Sequence, residues 1–338
     1  MCSVDDINFL EYRSGLPGTP DLEKMSVHLP VSWPEFRKQL KPRYLIVWRD
    51  VFVCYFLLLL GVGAIIFIQP ILSFPAALIA SIFSGMWIGY WLHSLSLFLH
   101  EAVHFNIHPN RRWNDILGNW LICPLLFTSV ESYRKIHWPH HLYLGSLQDT
   151  EQSYFNALKP SFLLRAITAI HALKTIFHYS ELETAEISSP VKKVLKWKNP
   201  ARLVVVQSAI LIFLISFGNY AAAAAWFLGV VIFWPFLGTI RQILRHRSEN
   251  ADPEADYFKI PHGATLRLFG DDWFSQSFGS AGFNRHMLHH WDPHISYTRL
   301  KDMEKYFQET TIGDLIRNSR TSYWQFFKVL LAQSRRRK

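Results

Sequence analysis

Residues 51–100 read VFVCYFLLLLGVGAIIFIQPILSFPAALIASIFSGMWIGYWLHSLSLFLH and contain no Asp, Glu, Lys or Arg. One membrane-spanning helix needs about 20 apolar residues, so this stretch is long enough for two. Gln69-Pro70 and Phe74-Pro75 interrupt it near its middle, and proline disfavours the helix interior. The stretch therefore predicts a helical hairpin, with membrane helices at about 51–69 and 75–99.

A second charge-free stretch lies between Arg202 and Arg241, and Gly218-Asn219 break it near its middle. It predicts two more membrane helices, at about 203–217 and 220–240. Half of all residues are hydrophobic and only 18% are charged, below the roughly 25% of soluble proteins. We therefore expect an all-α membrane protein with four transmembrane helices in two hairpins.

Basic residues flank both hairpins on one side, whereas the hairpin tips carry no charge. The flanking residues are Arg37, Lys38, Lys41, Arg43, Arg49, Lys192, Lys193, Lys196, Lys198, Arg202, Arg241, Arg245 and Arg247. The positive-inside rule then places both termini in the cytosol. It also places there the N-terminal segment 1–50, the segment 100–202 between the hairpins, and the C-terminal segment 241–338.

The formal net charge of +9 follows mainly from this topology and from attraction to anionic lipids. We expect no nucleic-acid partner, because nothing else in the sequence points to one. The three cysteines form no paired motif, so neither a disulfide framework nor a thiolate metal site is indicated.

Nine of the sixteen histidines form a pattern that packing alone does not explain. They are His100 and His104 in HEAVH, His137, His140 and His141 in HWPHH, His246 alone, and His286, His289 and His290 in HMLHH. A spacing of three or four residues places the imidazoles of one cluster on one helix face. Imidazole is the commonest metal ligand, and nine are too many for one tetrahedral ion. The pattern favours two metal ions held close together on the cytosolic side.

The other seven histidines are interpreted as ordinary surface or core residues. They are His28, His93, His108, His171, His178, His262 and His294. His93 shares roughly one helical face with His100, but seven residues of helix separate the two by about 10 Å. Because metal–imidazole bonds are only about 2 Å long, His93 is predicted not to be a ligand.

The three clusters resemble the histidine boxes of the membrane fatty acid desaturase and hydroxylase superfamily. Flanking residues are similar too: Asn114-Asp115, Tyr133-Arg134-Lys135, Gln148-Asp149, Arg245-His246-Arg247, Gly282-Phe283-Asn284 and Pro293. The first box has three residues between its histidines, whereas acyl-CoA desaturases usually have four. In this spacing the first box looks more like the boxes of free-lipid and sphingolipid desaturases, carotenoid ketolases and alkane hydroxylases.

The resemblance implies four membrane helices with a cytosolic helical metal-binding cap. It also implies a non-haem diiron oxidoreductase that uses O₂ to introduce a double bond into the acyl chain of a fatty acid or membrane lipid. A hydroxylase or ketolase of a lipid, alkane or terpenoid is the alternative on the same fold. The implied iron ligands are the eight box histidines together with His246, and no further catalytic or cofactor-binding residue is implied. Electrons would come from a separate ferredoxin or cytochrome b5, because the chain has neither an iron–sulfur cysteine cluster nor a haem-binding segment.

Carboxylates often accept the second N–H of a metal-bound imidazole and fix its orientation. By proximity in sequence, the candidates are Glu101, Asp149, Glu249, Asp252 and Asp292.

Two functions of other classes stay open at this stage. HEAVH also fits the H-E-x-x-H pattern of zinc proteases, in which Glu101 would be the general base. The other is a non-enzymatic metal carrier or sensor. Carriers place ligands along a route through the membrane, whereas His93 is the only histidine in the two predicted hairpins. Measuring the bound metal would separate the three functions. We expect two irons for the oxidoreductase, one zinc for the protease, and exchangeable ions for the carrier or sensor.

Overall fold

The computed structural model describes residues 20–26, 29–126, 128–168 and 192–334, with side chains from residue 204 onward in the last range. Three histidines interpreted above as ordinary, His28, His171 and His178, lie outside these ranges. The N-terminal part of the predicted segment 1–50 and residues 169–191 of the segment 100–202 also lie outside them.

The first half of the chain is helical. Its helices are α1 (Leu22–Met25), α2 (Trp33–Gln39), α3 (Tyr44–Ile68), α4 (Phe74–Val103), α5 (Arg111–Leu117), α6 (Val130–Tyr143) and α7 (Pro160–Ile167). Short 3₁₀ turns follow α3 at Gln69–Ile71 and precede α7 at Gln152–Phe155. A π turn and a 3₁₀ turn extend α5 through Gly118–Ile122 and Cys123–Leu125.

The second half is also mainly helical. Its elements are α8 (Lys192–Ser216), α9 (Tyr220–Leu228), α10 (Trp234–His246), β1 (Leu268–Phe269), α11 (Trp273–Phe278), α12 (His286–Trp291), α13 (Tyr297–Gln308), α14 (Gly313–Asn318), β2 (Arg320–Thr321) and α15 (Tyr323–Gln333). A π turn at Gly229–Phe233 joins α9 to α10, and a 3₁₀ turn at Phe283–Arg285 precedes α12. The two short strands pair in parallel, Leu268 opposite Arg320.

In the described part of the chain, three helices are long and apolar enough to cross a membrane. They are Tyr44–Ile71, Phe74–Val103 and Tyr220–His246. The fourth predicted helix, 203–217, falls within α8, whose apolar part is Val204–Ser216. This part is shorter than the roughly 20 residues of a full span, because the first half of α8 is rich in lysine and arginine. Length and composition thus support three of the four predicted spans.

Small residues let the candidate membrane helices approach closely. A Cβ atom added at Gly85 on α4 would lie 2.9 Å from the carbonyl oxygen of Ala225, and one at Gly89 would lie 2.5 Å from Cβ of Phe233. Such contacts are typical of helix packing in membranes. At the opposite end of the bundle, Gln69 donates to the carbonyl of Gly218 and accepts from the backbone N–H of Ala221. This amide therefore ties together the tips of the two predicted hairpins.

The helix ends differ from the predicted boundaries in a way that matters for the site. Helix α3 begins at Tyr44 rather than at residue 51, because Arg49 pairs with Asp50 and Asp50 accepts a hydrogen bond from Tyr297. Helix α4 continues to Val103, and α10 continues to His246. With 30 residues, α4 is about 45 Å long and exceeds a hydrocarbon core of about 30 Å. The first histidine cluster and His246 therefore lie at the projecting ends of membrane-type helices.

Candidate metal centre

The first histidine cluster lies at the carboxyl end of α4, and a polar network caps this end. Arg134 of α6 donates to the carbonyls of Val103 and Ala102 at 2.9 and 3.1 Å, and Asn114 donates to Ala102 at 2.7 Å. The guanidinium also binds both carboxylate oxygens of Asp115, at 2.6 and 2.9 Å. These bonds satisfy carbonyls that a helix end otherwise leaves without partners. They also tie the first cluster to the helix of the second.

The chain turns sharply immediately after this cluster. Phe105 has a φ of 61°, a left-handed conformation that favours glycine. The Arg134 guanidinium lies 3.9 Å from the centre of the Phe105 ring, which holds this turn in place. His104 is thereby fixed between a capped helix end and a constrained turn.

The second and third clusters each lie on a short helix. His137, His140 and His141 are buried on α6, and His286, His289 and His290 are buried on α12. Gly282 has a φ of +73° in the turn that leads into α12. A Cβ atom there would lie 2.5 Å from Cβ of Tyr297, so glycine is required on both grounds.

The structure brings all nine patterned histidines together and divides them into two groups. The five-histidine group contains His100, His104, His137, His141 and His289, and the four-histidine group contains His140, His246, His286 and His290. Within each group one nitrogen from every ring lies within 4.8 Å of all the others, and every member is buried. The groups are adjacent, because the rings of His141 and His290 are 4.4 Å apart. Each group can supply enough nitrogen ligands for one metal ion.

Two carboxylates fix which nitrogen faces the centre of each group. His137 donates from Nδ1 to Glu151 at 2.7 Å, and His140 donates from Nδ1 to Asp149 at 2.8 Å. Nε2 of each ring then carries the lone pair that a metal needs. Glu151 also accepts from Tyr133 and Gln242, and Asp149 accepts from Tyr154.

The nitrogen geometry fits a bound cation. The Nε2 atoms of His137 and His141 are 2.8 Å apart, as are those of His286 and His290. In the described part of the chain, both ring nitrogens of His100 and of His104 lack a hydrogen-bond partner. Buried polar atoms normally have a partner, and metal coordination would supply one to each converging lone pair.

The electrostatics also keep the rings ready to bind a metal. Burial, and then the neighbouring imidazoles, hold the pKa of His104 and His141 well below the usual value, so both rings are neutral. Burial raises the pKa of Glu151, but His140 and His137 lower it more, so this carboxylate stays ionised. Metal ligation requires neutral imidazole, and an ionised carboxylate strengthens the imidazole as a ligand.

Comparison with known proteins identifies the family. Residues 73–326, well over half of the chain, match the family described as fatty acid desaturase. The chain belongs to the fatty acid desaturase family. No curated protein matches the chain. Membership of this desaturase family implies an oxidoreductase that acts on lipids in a membrane setting.

Only some of the carboxylates expected to orient imidazoles do so. Asp149 does, as expected. Glu101 instead accepts from Ser296 and from the backbone N–H of Tyr297. Two further expectations were wrong, because Glu249 pairs with Arg267, and Asp292 pairs with Arg37 and His294 rather than with a clustered histidine. The carboxylate of Asp252 accepts from the backbone N–H of Glu254.

Sequence reasoning missed Glu151, the partner of His137. The available signal was the pair of acids in Asp149-Thr150-Glu151, of which only the first was considered. Flanking residues on which the family resemblance was based also have structural roles that the sequence did not reveal. Asn114 and Arg134 cap α4, and Tyr133 binds Glu151.

The described histidines outside the clusters lie in neither group. His93 is buried and stacks on Phe278 with ring centres 5.5 Å apart. His108 accepts from the backbone N–H of Asn110, His262 packs against Phe155, and His294 lies beside Asp292. The prediction that His93 does not share a metal with His100 agrees with this placement.

Proposed function

We propose that this chain is an O₂-dependent diiron oxidoreductase that introduces a double bond into the acyl chain of a fatty acid or membrane lipid. One iron would be held by the five-histidine group and the other by the four-histidine group. The observation that carries the proposal is the division of nine buried histidines into two adjacent sets. Family membership supports the reaction class.

When bound, the irons would supply the reduction of O₂ that makes an unactivated methylene reactive. The proposed reaction removes one hydrogen from each of two adjacent carbons and reduces O₂ to two waters. It consumes two protons and two electrons, and a separate ferredoxin or cytochrome b5 would supply the electrons. In the alternative hydroxylase, one oxygen atom goes to the carbon and only one water forms for each O₂. A ketolase would hydroxylate the same carbon twice, and the resulting diol would lose water to give the ketone. The three-residue spacing of the first box, shared with ketolases and alkane hydroxylases, keeps that alternative open.

The residues of the chain would hold the imidazoles in place and exclude water. Asp149 and Glu151 fix His140 and His137, and the capping network around Arg134 fixes the end of α4. All nine rings are nearly inaccessible to solvent. A dry, pre-organised site keeps a strong oxidant from bulk water.

The rival functions fit the geometry less well. In an H-E-x-x-H protease the glutamate must reach a metal-bound water, but Glu101 is engaged by Ser296 and Tyr297. Such a protease would also leave most members of the two groups without a role. A carrier needs ligands along a route, whereas these histidines form two compact buried groups.

For the membrane arrangement we propose four spans, with α8 completing the second hairpin, and both termini and the metal centre in the cytosol. The basic flanks of both charge-free stretches support this orientation.

Lipid mass spectrometry tests the reaction. A host expressing the protein with a compatible electron donor should accumulate lipids two mass units lighter than their precursors. The variant His140→Ala should insert in the membrane but give no product, because the membrane helices do not depend on this ring. A gain of sixteen mass units would establish the hydroxylase instead. Full product formation by His140→Ala would overturn the metal-site assignment.

A further inference from the structure

Arg241 on α10 is a buried cation without a counter-ion among the described residues. Its exposed fraction is 8%, and in the described part of the chain Nε and Nη1 have no hydrogen-bond partner. The guanidinium lies over the ring of Phe283, 4.5 Å from the ring centre. This contact covers one face of the guanidinium and leaves the N–H edge without an acceptor.

Other buried arginines near the site each have at least one hydrogen-bond acceptor, although Nε of Arg245 and of Arg247 lacks one among the described residues. Arg245 donates to Gln242, Arg247 donates to the carbonyl of Phe155, and Arg285 binds Asp271 and Glu304. An unpaired buried charge costs several kcal/mol, so a protein that retains one usually uses it. Within membrane-type helices such a residue indicates a functional site with a missing partner.

His93 provides a second unsatisfied group beside Arg241. Neither ring nitrogen of His93 has a hydrogen-bond partner in the part of the chain that the structure describes. A Cβ atom added at Gly238 would have only Cδ2 of His93 near it, at 3.9 Å, so there is free space next to this ring. Gly238 and Arg241 are three residues apart and share one face of α10. The buried polar groups of His93 and Arg241 thus lie beside open space at the half-buried Gly238. We call this space the pocket.

The pocket lies next to the metal centre. Arg241 precedes His246 by five residues, about 7.5 Å along the helix axis, and His93 precedes His100 by about 10 Å. Phe283 separates the two sites, because its ring lies 4.6 Å from that of His100 and 4.9 Å from that of His286. A ligand group at Arg241 would therefore be one aromatic ring away from the clustered histidines.

We propose that Arg241 and His93 bind the carboxylate of a free fatty acid substrate, a specificity that rests on the proposed function. A guanidinium matches a carboxylate with two parallel hydrogen bonds, and a neutral imidazole N–H can add a third. The absence of a side chain at Gly238 leaves room for a group of this small size. With carbon–carbon bonds of about 1.5 Å, the oxidised carbon would lie within roughly eight bonds of the carboxyl group.

Binding of a fluorescent polyene fatty acid to iron-free full-length protein in nanodiscs tests this inference without turnover. Wild type should bind the acid at least about 10-fold more tightly than its methyl ester, since a hydrogen bond to a charged group contributes about 1.5–3 kcal/mol. Arg241→Gln should abolish this preference and leave ester binding unchanged. Gly238→Leu should also weaken acid binding, because it fills the pocket but keeps the arginine. Arg317→Gln, which changes an exposed arginine, is the matched control and should bind as wild type does.

Thermal unfolding separates ligand binding from a structural role. Because no described residue provides a counter-ion to Arg241, Arg241→Met should unfold at the same temperature as wild type or a higher one. Equal binding of acid and ester by wild type, or equal losses of both in Arg241→Gln, would overturn the inference. Competition by inorganic phosphate at the same concentration would also overturn it, because the pocket would then be a general anion site. Failure of the proposed function would appear separately, as wild type that does not bind two irons.

Discussion

At the scale of single residues, carboxylates determine which ring nitrogen of an imidazole faces the candidate metal site. Glu151 and Asp149 each accept the Nδ1 proton of one ring in the second cluster, His137 in one group and His140 in the other. One loop thus orients a ligand in both groups. Each carboxylate is itself held by a tyrosine, Tyr133 for Glu151 and Tyr154 for Asp149.

The first prediction concerns these carboxylates. Glu151→Gln and Asp149→Asn should each weaken iron binding by about 10-fold to 100-fold, because an amide cannot make an equally strong bond to the Nδ1 proton. Iron retention during titration with a chelator measures the effect. Glu249→Gln is the control, since the carboxylate of Glu249 pairs with Arg267 rather than with a clustered histidine, and it should keep its iron. Equal retention in all three variants would refute this role of the carboxylates.

The second prediction compares two histidines on membrane-type helices. His246→Ala should lose iron and activity, because His246 belongs to the four-histidine group. His93→Ala should keep both irons even if turnover falls, because His93 belongs to neither group. Iron content and turnover of the two purified variants provide the test. Full iron in His246→Ala, or half the iron lost in His93→Ala, would reverse the assignments.

The sequence predicted these residues unevenly, for physical reasons. The boxes were visible because their spacing is local and follows the helical repeat. How the nine rings divide between two groups was not visible, because His140 and His141 are adjacent in sequence yet belong to different groups. From the sequence, Arg241 was interpreted only as one of the basic residues that flank the second hairpin. Its unsatisfied guanidinium depends on the packing of α10 against Phe283.

At the scale of elements, the capped end of α4 connects the first two clusters. Arg134 holds two carbonyls of α4 and both oxygens of Asp115, so α4, α5 and α6 meet at one guanidinium. Charge-assisted bonds of this kind are stronger than neutral ones.

The third prediction concerns this junction. Arg134→Lys should destabilise the protein by about 1.5–3 kcal/mol and loosen iron binding, because lysine cannot make the forked contacts. Thermal unfolding in detergent and iron retention measure the two effects. The double variant Arg134→Lys/Asp115→Asn should cost less than the sum of the single variants, since the two residues share one interaction. Strictly additive losses would show that the pair is not coupled.

The ends of the helices were not predicted correctly from the sequence. Charged residues were used to end the helices, yet α3 includes Arg49 and Asp50, and α10 runs through Arg241 and Arg245. Asp50 is accommodated by a tertiary partner, Tyr297, whereas Arg245 donates to Gln242 one turn earlier on the same helix. A sequence window cannot detect a partner such as Tyr297, because it comes from a distant part of the chain.

At the scale of the whole molecule, the metal groups lie at one end of the helices and the loop contacts of Gln69 at the other. The fourth prediction is that these ends face opposite sides of the membrane. In a Cys2→Ser background, a membrane-impermeant thiol reagent should label Ser73→Cys and Ser216→Cys from outside intact cells. It should label Lys305→Cys only after the cells are opened. Labelling of Lys305→Cys in intact cells would contradict the proposed orientation.

The central claim is that nine histidines hold two irons, and metal analysis tests it most directly. Protein purified without oxygen should contain two irons per chain, no acid-labile sulfide and no stoichiometric zinc. His104→Ala and His246→Ala should each lower the iron content, because each removes a ligand from a different group. One zinc per chain in active protein, or a single iron that survives in both variants, would contradict the account.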